Sequence, residues 1–570
     1  MSEPTAAEWA SLRRINEAIE ARDLAAALAL SAALIRTNPA LAIARYLQGL
    51  ALWSAGRAND AERPWRDALD LDPKLTWAAV RLGFLLIEQG RPFEARTVIA
   101  PFLERPAADM NLLTVEALAL KSLRRSAEAT AAYLRARDAA PANPIAEQNL
   151  AAHLADTQQY AECEAASLRA MAKGLDSPEI WLMRARGLKG QGRLDEAEAA
   201  FAQAIRRRPA FVDAQGELAQ LIWTRTADLD ASSRHLDRAI AAHPAEPELR
   251  LKKAALLEYA GRPHAAYALL TAEAPEAVRG RPMVAAAAAT LAAALEPAAA
   301  MGHARRAFNA SPDNPAVVAA LCQAQIAAGE PDAALETAMI LRARWPLNQL
   351  GVALLATVWR MQGDPAYPLL YDYDRLVRSY PLETPPGWSS LPAYLADLAA
   401  ALERSHRSVS HPIGQSLRLG TQGELSLEDP DPAIAAFFPG VSQMISRYIA
   451  ELGPGDDPLR VRVREAFEFN GAWSVRLGPG GHHANHIHPL GWISSACHLV
   501  VPPGVDRDHD GWLAFGQPGI PTARALPAEH FVRPEPGVLV LFPSYMWHGT
   551  APFRGEGTRL TAAFDVVPGL

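Results

Sequence analysis

Prolines that end predicted helices recur in this chain at a nearly constant interval. The intervals are 34, 68, 68, 35, 68 and 34 residues, for Pro39, Pro73, Pro141, Pro209, Pro244, Pro312 and Pro346. All but one of these intervals are multiples of 34. A fixed period of this size predicts one supersecondary unit repeated along the chain.

A second series, of glycines, marks a turn inside each repeated unit. Its intervals are 34, 102, 69, 68 and 34 residues, for Gly56, Gly90, Gly192, Gly261, Gly329 and Gly363. One inserted residue between Pro209 and Pro244 explains the odd interval in both series. Units at Arg124, Gln158 and Thr226 keep the spacing without a turn glycine, and the first unit begins near Glu8.

Alanine-rich stretches follow several of these glycines, as in GRLDEAEAAF at Gly192 and GEPDAALE at Gly329. Small residues there let two helices approach closely. The pattern resembles the tetratricopeptide repeat, whose unit of ~34 residues is a helix, a tight turn and a second helix. We therefore expect an all-α solenoid of about ten units over residues 1–364.

Stacked units of this kind form a right-handed superhelix with a concave inner surface. Such a groove suits an extended segment, so the expected partner is a peptide or protein held by the repeats. The alternative is that the array only spaces or dimerises the protein.

Charge and cysteine content bear on other partners and on location. The net charge of -7 over 570 residues gives no strong field for nucleic acid or an anionic membrane, so neither partner is expected. Three distant cysteines, Cys163, Cys322 and Cys497, match neither a disulfide framework nor a CxxC metal site. With no secretory signal at the start, these features predict a cytoplasmic protein.

The chain changes character after Gly363. Residues 365–407, rich in proline and aromatics, are expected to be a linker and helix that lead into a C-terminal domain of residues 408–570. Short β-branched and aromatic segments follow, including VRVREAFEFN, AWSVRLG, WISSACHLVVP, GVLVLFPSYMWH and TRLTAAFDVVP. Several short strands at this spacing indicate a sandwich or jelly roll.

Histidines crowd into one segment, GGHHANHIHPLGW. In an extended chain His486 and His488 project to the same side, so both rings can face one ion. His548, after the later strand VLVLFPSYMWH, could complete one face of an octahedron. Three adjacent positions would stay open for a bidentate 2-oxoacid and dioxygen.

Residues that could hold a co-substrate surround this cluster. Arg559 opens the last strand and Thr561 shares its face, so guanidinium and hydroxyl could together clasp a carboxylate. Asn485 could hydrogen-bond the co-substrate or serve only as a turn residue. His498, inside the strand CHLVV, could point at the co-substrate or into the core.

From HPIGQSLRLGTQ through NHIHPLGWISS, LVLFPSYMWHGT and TRLTAAF, the chain is similar to 2-oxoglutarate/Fe(II) oxygenases of the prolyl-hydroxylase superfamily. The resemblance covers roughly residues 408–568 and implies a double-stranded β-helix, or jelly roll, with Fe(II) and 2-oxoglutarate as cofactors. It also implies His486 as the first metal ligand, His548 as the distal one, and Arg559 with Thr561 as the clamp on 2-oxoglutarate. Fusion to tetratricopeptide repeats also occurs among such proteins.

The sequence departs from the superfamily pattern at one position. Most members have a carboxylate two residues after the first ligand, where this chain has His488. We favour three histidine ligands. The alternatives are that His488 lies behind the metal, with water as third ligand, or that Asp506, Asp508 or Asp510 supplies a carboxylate.

Four further aromatic residues near this cluster are open to two interpretations. His482 and His483 follow the glycine turn GPGG and are expected in a loop rather than on the metal. Trp473 and Trp492 either line a substrate cleft or pack inside the sandwich.

Three functions remain open from the residues. The first is an Fe(II)/2-oxoglutarate-dependent dioxygenase that hydroxylates a peptide or protein side chain recruited by the repeats, with no catalytic residues beyond the metal and co-substrate ligands. The second is a scaffold with a silent jelly roll, and the third is a cupin-like three-histidine metalloenzyme without 2-oxoglutarate. Arg559 favours the first, because a buried arginine is costly unless it is paired.

Overall fold

The computed structural model describes residues 4–104, 109–503, 505 and 509–569. The chain divides into two compact units, Met1–Arg207 and Arg208–Leu570. None of the described helices has the length and apolar character needed to cross a bilayer.

Paired helices make up the described part of the first unit. They are α1 (Ala6–Glu20), α2 (Leu24–Thr37), α3 (Ala42–Ser54), α4 (Ala58–Leu71), α5 (Thr76–Glu88), α6 (Pro92–Leu103), α7 (Met110–Ser122), α8 (Ser126–Ala139), α9 (Pro144–Asp156), α10 (Tyr160–Ala172), α11 (Pro178–Gly190) and α12 (Leu194–Arg207). Helix α1 begins at a capping box, in which the Thr5 hydroxyl accepts from the Glu8 amide and the Glu8 carboxylate accepts from the Thr5 amide. The period therefore folds as helical hairpins, as predicted.

The repeat helices continue into the second unit, which also carries the helices of the C-terminal domain. They are α13 (Val212–Thr226), α14 (Leu229–Ala242), α15 (Pro247–Tyr259), α16 (Pro263–Leu270), α17 (Glu276–Arg279), α18 (Pro282–Leu295), α19 (Pro297–Ala310), α20 (Pro315–Ala328), α21 (Pro331–Arg344), α22 (Gln349–Gln362), α23 (Tyr367–Leu370), α24 (Tyr373–Leu376), α25 (Leu391–Glu403) and α26 (Pro432–Leu452). Each proline of the periodic series lies two residues after the last residue of a helix.

The turn inside each hairpin adopts the left-handed backbone conformation. All six glycines of the series have φ between 70° and 74°. Arg22, Arg124 and Gln158 reach φ of 59° to 61° at the same place in units that lack the glycine. The turn of the unit that was predicted at Thr226 lies one residue later. Ala227 has φ 54°, and Thr226 is still helical. The inserted residue therefore lies before this turn.

In the described part of the second unit, nine strands form two antiparallel sheets. They are β1 (Arg378–Pro381), β2 (Leu417–Glu424), β3 (Phe467–His483), β4 (Ile493–Val500), β5 (Leu513–Phe515), β6 (His530–Val532), β7 (Val538–Pro543), β8 (His548–Thr550) and β9 (Arg559–Pro568). One sheet has the order β1-β7-β4-β9-β3-β2 and the other β6-β5-β8. This is the expected solenoid followed by a jelly-roll domain.

Two local predictions were wrong. VRVRE was expected to begin a strand, but Arg460–Arg462 is a 3₁₀ turn, because the Asp457 carboxylate accepts the amides of Leu459 and Arg460 at 3.0 Å each. The GPGGHH segment was expected to be a loop, but β3 continues through His483 and pairs with β2 across a bulge.

Segment 365–407 also contributes to the C-terminal domain, because β1 pairs with β7 at the sheet edge. The boundaries 1–364, 365–407 and 408–570 stay a prediction.

The large sheet has one face covered by helices and one face turned to a cavity. Helices α25 and α26 pack on the first face, in a core that includes Leu398, Phe437 and Tyr448. Alternation along β9 turns Arg559, Thr561, Ala563 and Asp565 to the other face, where all four line the cavity. The register of the sheet thus decides which polar residues meet.

Candidate metal and co-substrate site

Backbone pairing brings the predicted histidines together. The His486 amide donates to the His548 carbonyl at 2.8 Å, and the His548 amide donates back at 3.0 Å. The His488 amide donates to the Ser544 carbonyl at 2.9 Å. The ring centroids of His486 and His548 are 4.2 Å apart, and each is 5.0 Å from that of His488.

Hydrogen bonds fix the same tautomer in all three rings. Nδ1 of His486 donates to the Ala484 carbonyl at 2.9 Å, and Nδ1 of His548 donates to the Met546 carbonyl at 2.9 Å. Nδ1 of His488 lies 2.6 Å from the Asp565 carboxylate. Since carbonyl and carboxylate oxygens only accept, Nδ1 carries the proton and each Nε2 keeps a lone pair.

These lone pairs fit a metal ion. Nε2 of His486 and His488 lie 3.1 Å apart, and one nitrogen from each of the three rings lies within 4.8 Å of the others. Two nitrogens bound at about 2.1 Å on adjacent octahedral positions are separated by about 3.0 Å. With both Nδ1 atoms protonated, the Nε2 pair cannot form a hydrogen bond, so a cation between them satisfies both atoms.

The surroundings of His486 and His548 favour the neutral imidazole that metal binding requires. Burial lowers the pKa of His486 well below its usual value, and the nearby His548 and His488 lower it further. Burial and His488 likewise lower the pKa of His548. Neutral rings bind metal without first losing a proton.

Asp565 is a functional candidate that the sequence reasoning missed. Its Oδ1 accepts from His488 Nδ1 and, at 2.7 Å, from the Ser494 hydroxyl. Such a carboxylate orients a histidine ligand and raises its basicity. Side chains alternate between the two faces of a β-strand, and Asp565 lies six residues after Arg559 in the last predicted strand. Asp565 was therefore predictable on the same face as Arg559.

Arg559 is buried, with 2% of its surface exposed. Its guanidinium donates to the Gly511 carbonyl and, at 3.3 Å, to His498 Nδ1, while its Nε–H has no partner. Burial lowers its pKa to about 10. Among the described residues, no carboxylate forms a salt bridge with it, so the structure holds a buried cation suited to an anionic ligand.

The cavity joins the histidines to this cation. It has a volume of about 710 Å³, and its walls include Asn485, Thr561, Arg559 and the three converging histidines. His498 is fully buried behind Arg559 rather than on the cavity wall. Because its Nδ1 accepts from Arg559, its proton lies on Nε2, a second buried donor without a partner.

The two other histidines and the two tryptophans near the cluster lie in different parts of the domain. His482 and His483 lie in β3, and Nδ1 of His483 is 2.9 Å from the Ser416 hydroxyl. Trp473 lines the cavity, whereas Trp492 is buried and donates to the Leu459 carbonyl.

Of the three aspartates considered as alternative metal ligands, the structure describes one. Asp510 lies 3.8 Å from Arg554 and is not among the converging ligands. Asp506 and Asp508 lie outside the described residues.

Two families match parts of the chain. A family described as "Putative 2OG-Fe(II) oxygenase" matches residues 471–565, and a tetratricopeptide-repeat family matches residues 178–221. No curated protein matches the sequence.

Several solved structures are similar to parts of the chain. Yeast Tom70 is 11% identical over 63% of this chain and 89% of its own, with a TM-score of 0.36. The type IV pilus biogenesis factor PilW is 16% identical over 38% and 100%, with a TM-score of 0.35. TTC0263, a tetratricopeptide-repeat protein of Thermus thermophilus, is 22% identical over 31% and 97%, with a TM-score of 0.28. TM-scores this low carry no argument about function.

Fold and site together define a repeat protein with a jelly-roll domain that has a histidine triad able to hold a metal. The chain combines tetratricopeptide repeats, which indicate protein–protein interaction, with a C-terminal domain that is similar to the family described as "Putative 2OG-Fe(II) oxygenase".

Proposed function

We propose that this protein is an Fe(II)/2-oxoglutarate-dependent dioxygenase that hydroxylates a side chain of a peptide or protein recruited by its repeats. One observation carries the proposal: the cavity with three converging imidazole lone pairs also holds a buried arginine without a carboxylate partner among the described residues. A metal and a dianionic co-substrate would satisfy both features.

His486, His488 and His548 are the proposed iron ligands. Their ring nitrogens converge at the cavity wall and would hold the ion from that side. Bound Fe(II), with 2-oxoglutarate and dioxygen, supplies the chemistry that inserts one oxygen atom into a C–H bond and releases succinate and carbon dioxide.

Arg559 and Thr561 are the proposed clamp on the distal carboxylate of 2-oxoglutarate. After its two observed hydrogen bonds, the Arg559 guanidinium retains three N–H groups, enough for two parallel bonds to a carboxylate. Thr561 adds a hydroxyl on the same face. His498 orients the guanidinium from behind, and Asn485 lies on the wall where its amide can reach the co-substrate.

A macromolecular substrate is favoured by the position of the repeats. Residues of α15 and α22 form part of the cavity wall, so a peptide held by the repeats can enter the site directly. The cavity is also larger than 2-oxoglutarate alone requires, which leaves room for a side chain of the substrate.

The test is an anaerobic titration of the Fe(II)-loaded protein with 2-oxoglutarate. We expect the visible metal-to-ligand charge-transfer band of a chelated 2-oxoacid, followed by succinate formation once oxygen is admitted. His548→Ala is the matched control and should give neither signal. If the wild-type protein binds no 2-oxoglutarate, the oxygenase assignment fails and a scaffold is favoured; a bound metal without 2-oxoglutarate binding would favour the cupin-like alternative.

A further inference from the structure

The repeats contribute side chains to the wall of the candidate active site. Glu258 and Tyr259 end helix α15, Leu350 lies near the start of α22, and all three line the cavity that contains the histidine triad. The repeats therefore form part of the pocket.

Helix α15 is held against the site by an anchored segment of the jelly-roll domain. The Val409 amide donates to the Thr224 carbonyl at 2.7 Å, and the Trp223 indole donates to the His411 carbonyl at 2.9 Å. Nε2 of His411 donates to the Tyr259 carbonyl at 3.1 Å. The first two bonds join the segment to α13, and the third joins it to the end of α15.

The same segment leads directly to the metal site. A few residues after His411, the Ser416 hydroxyl lies 3.2 Å from Nε2 of His486. Arg418 follows, with its guanidinium carbon 5.2 Å from the Tyr259 ring centroid. The position of Glu258 is thus tied to that of the proposed iron ligands.

Glu258 is an exposed residue on this wall, and among the described residues no hydrogen bond or ion pair involves its carboxylate. The other carboxylate among the described wall residues, Asp565, is occupied by His488 and Ser494. Neighbouring groups exclude part of the solvent from the Glu258 carboxyl and raise its pKa, and Arg418 offsets this only in part. The carboxylate therefore lacks the cation that would stabilise its charge.

Arg418 does not fill this role. Its NH1 group donates to the carbonyls of Gln415 at 3.0 Å and Leu417 at 2.9 Å, and its guanidinium stacks on Tyr259. It supports the backbone of the anchored segment, which leaves Glu258 free to accept from a ligand.

We propose that Glu258 is a specificity-determining residue that binds a lysine or arginine side chain of the peptide substrate, close in sequence to the residue presented to the histidines. This inference rests on the proposed dioxygenase function. It assigns the repeats a second role, the selection of substrate sequence inside the cavity. Tyr259 and Leu350 supply apolar surface for the methylene groups of the same side chain.

The test uses the full chain, loaded with Fe(II) and 2-oxoglutarate, and a pool of short random synthetic peptides. Wild type, Glu258→Gln, Glu258→Lys and a control, Glu336→Gln, are compared. Glu336 is an exposed glutamate of α21 that does not line the cavity. Peptides retained under anaerobic conditions, and peptides that gain one oxygen atom in air, are sequenced by mass spectrometry.

We expect wild type and Glu336→Gln to enrich lysine and arginine at one position by about fivefold to tenfold. This enrichment corresponds to an interaction stronger than an exposed ion pair and weaker than a hydrogen bond to a charged group. Glu258→Gln should lose this enrichment, and Glu258→Lys should favour aspartate and glutamate there. Anaerobic 2-oxoglutarate binding should stay the same in all four proteins. Equal composition in wild type and Glu258→Gln, or enrichment of acidic peptides by wild type, overturns the proposal.

Failure of the proposed function gives a different result. In that case no peptide gains oxygen and no succinate forms with any variant, while the anaerobic retention arm still reports on Glu258. Retention that depends on Glu258 without oxidation would leave a cationic-peptide subsite in a protein that is not an oxygenase.

Discussion

Replacing Arg559 by leucine separates co-substrate binding from metal binding. The substitution removes a buried guanidinium and keeps an apolar side chain in its place. In the proposed site 2-oxoglutarate loses its clamp, whereas the three histidines keep their own hydrogen bonds to Ala484, Met546 and Asp565.

The size of the effect follows from the burial of Arg559. Truncating one partner of a buried, hydrogen-bonded charge pair costs about 2–5 kcal/mol, equivalent to roughly 30-fold to 5000-fold in affinity. The ligand-free protein should not be destabilised in the same way, because its buried guanidinium has no carboxylate partner among the described residues. Leucine removes this unpaired charge, but it also leaves the Gly511 carbonyl and His498 Nδ1 without their donor, so the melting temperature of the ligand-free protein should change little.

Thermal denaturation with and without 2-oxoglutarate measures both effects. At a concentration 100 times the dissociation constant, the ligand stabilises wild type by about 2.7 kcal/mol. A 30-fold weaker complex at the same concentration gains only about 0.9 kcal/mol. Arg554→Leu is the matched control, because Arg554 is highly exposed and lies just before β9. Equal ligand-induced shifts in wild type and Arg559→Leu would refute the clamp.

Three further predictions test the metal site and the fold. Asp565→Asn should weaken iron binding about 10-fold to 100-fold in chelator competition, because the amide holds the His488 ring less strongly; an unchanged affinity would contradict this role. Burial and Arg476 lower the pKa of His406 to about 4, so the neutral ring contributes stability that is present above about pH 6.5 and lost as the pH falls toward 4. His406→Gln should flatten that loss in urea unfolding, and an unchanged slope would exclude the residue. Arg124→Gly should raise the free energy of unfolding by about 0.5–1 kcal/mol, because glycine adopts the left-handed turn without strain, while Gly90→Ala should lower it; urea denaturation measures both.

Sequence periodicity predicted the repeat turns well because each unit must reverse the chain at the same place. This holds even where Arg124 and Gln158 replace glycine and the left-handed conformation is less favourable. The spacing determines the position of the turn, and glycine only makes it easier to form. At Ala227 the inserted residue shifted the turn by one place, which the spacing alone could not locate.

Local strand patterns predicted less, because tertiary contacts compete with propensity. VRVRE alternates as a strand does, yet the Asp457 carboxylate caps a turn there and the Trp492 indole binds the Leu459 carbonyl at 2.8 Å. In GPGGHH the glycines accommodate a bulge beside Leu419, whose φ is 54°, so the strand continues where a loop was expected.

In the candidate site, too, the features set by local spacing were predictable from the sequence, and those set by the register between distant strands were not. His486 and His488 are two residues apart, so their shared orientation was predictable from an extended chain. Asp565 reaches His488 only because β9 pairs with β4 in a register that places Asp565 opposite Ser494. In the proposed site, the carboxylate that most of the superfamily places on the metal is absent, and one lies behind His488 instead. A carboxylate therefore still lies next to the ligand set, where it accepts a hydrogen bond from His488 Nδ1 and leaves Nε2 to face the cavity. The departure at His488 is therefore compatible with a metal centre held by three histidines.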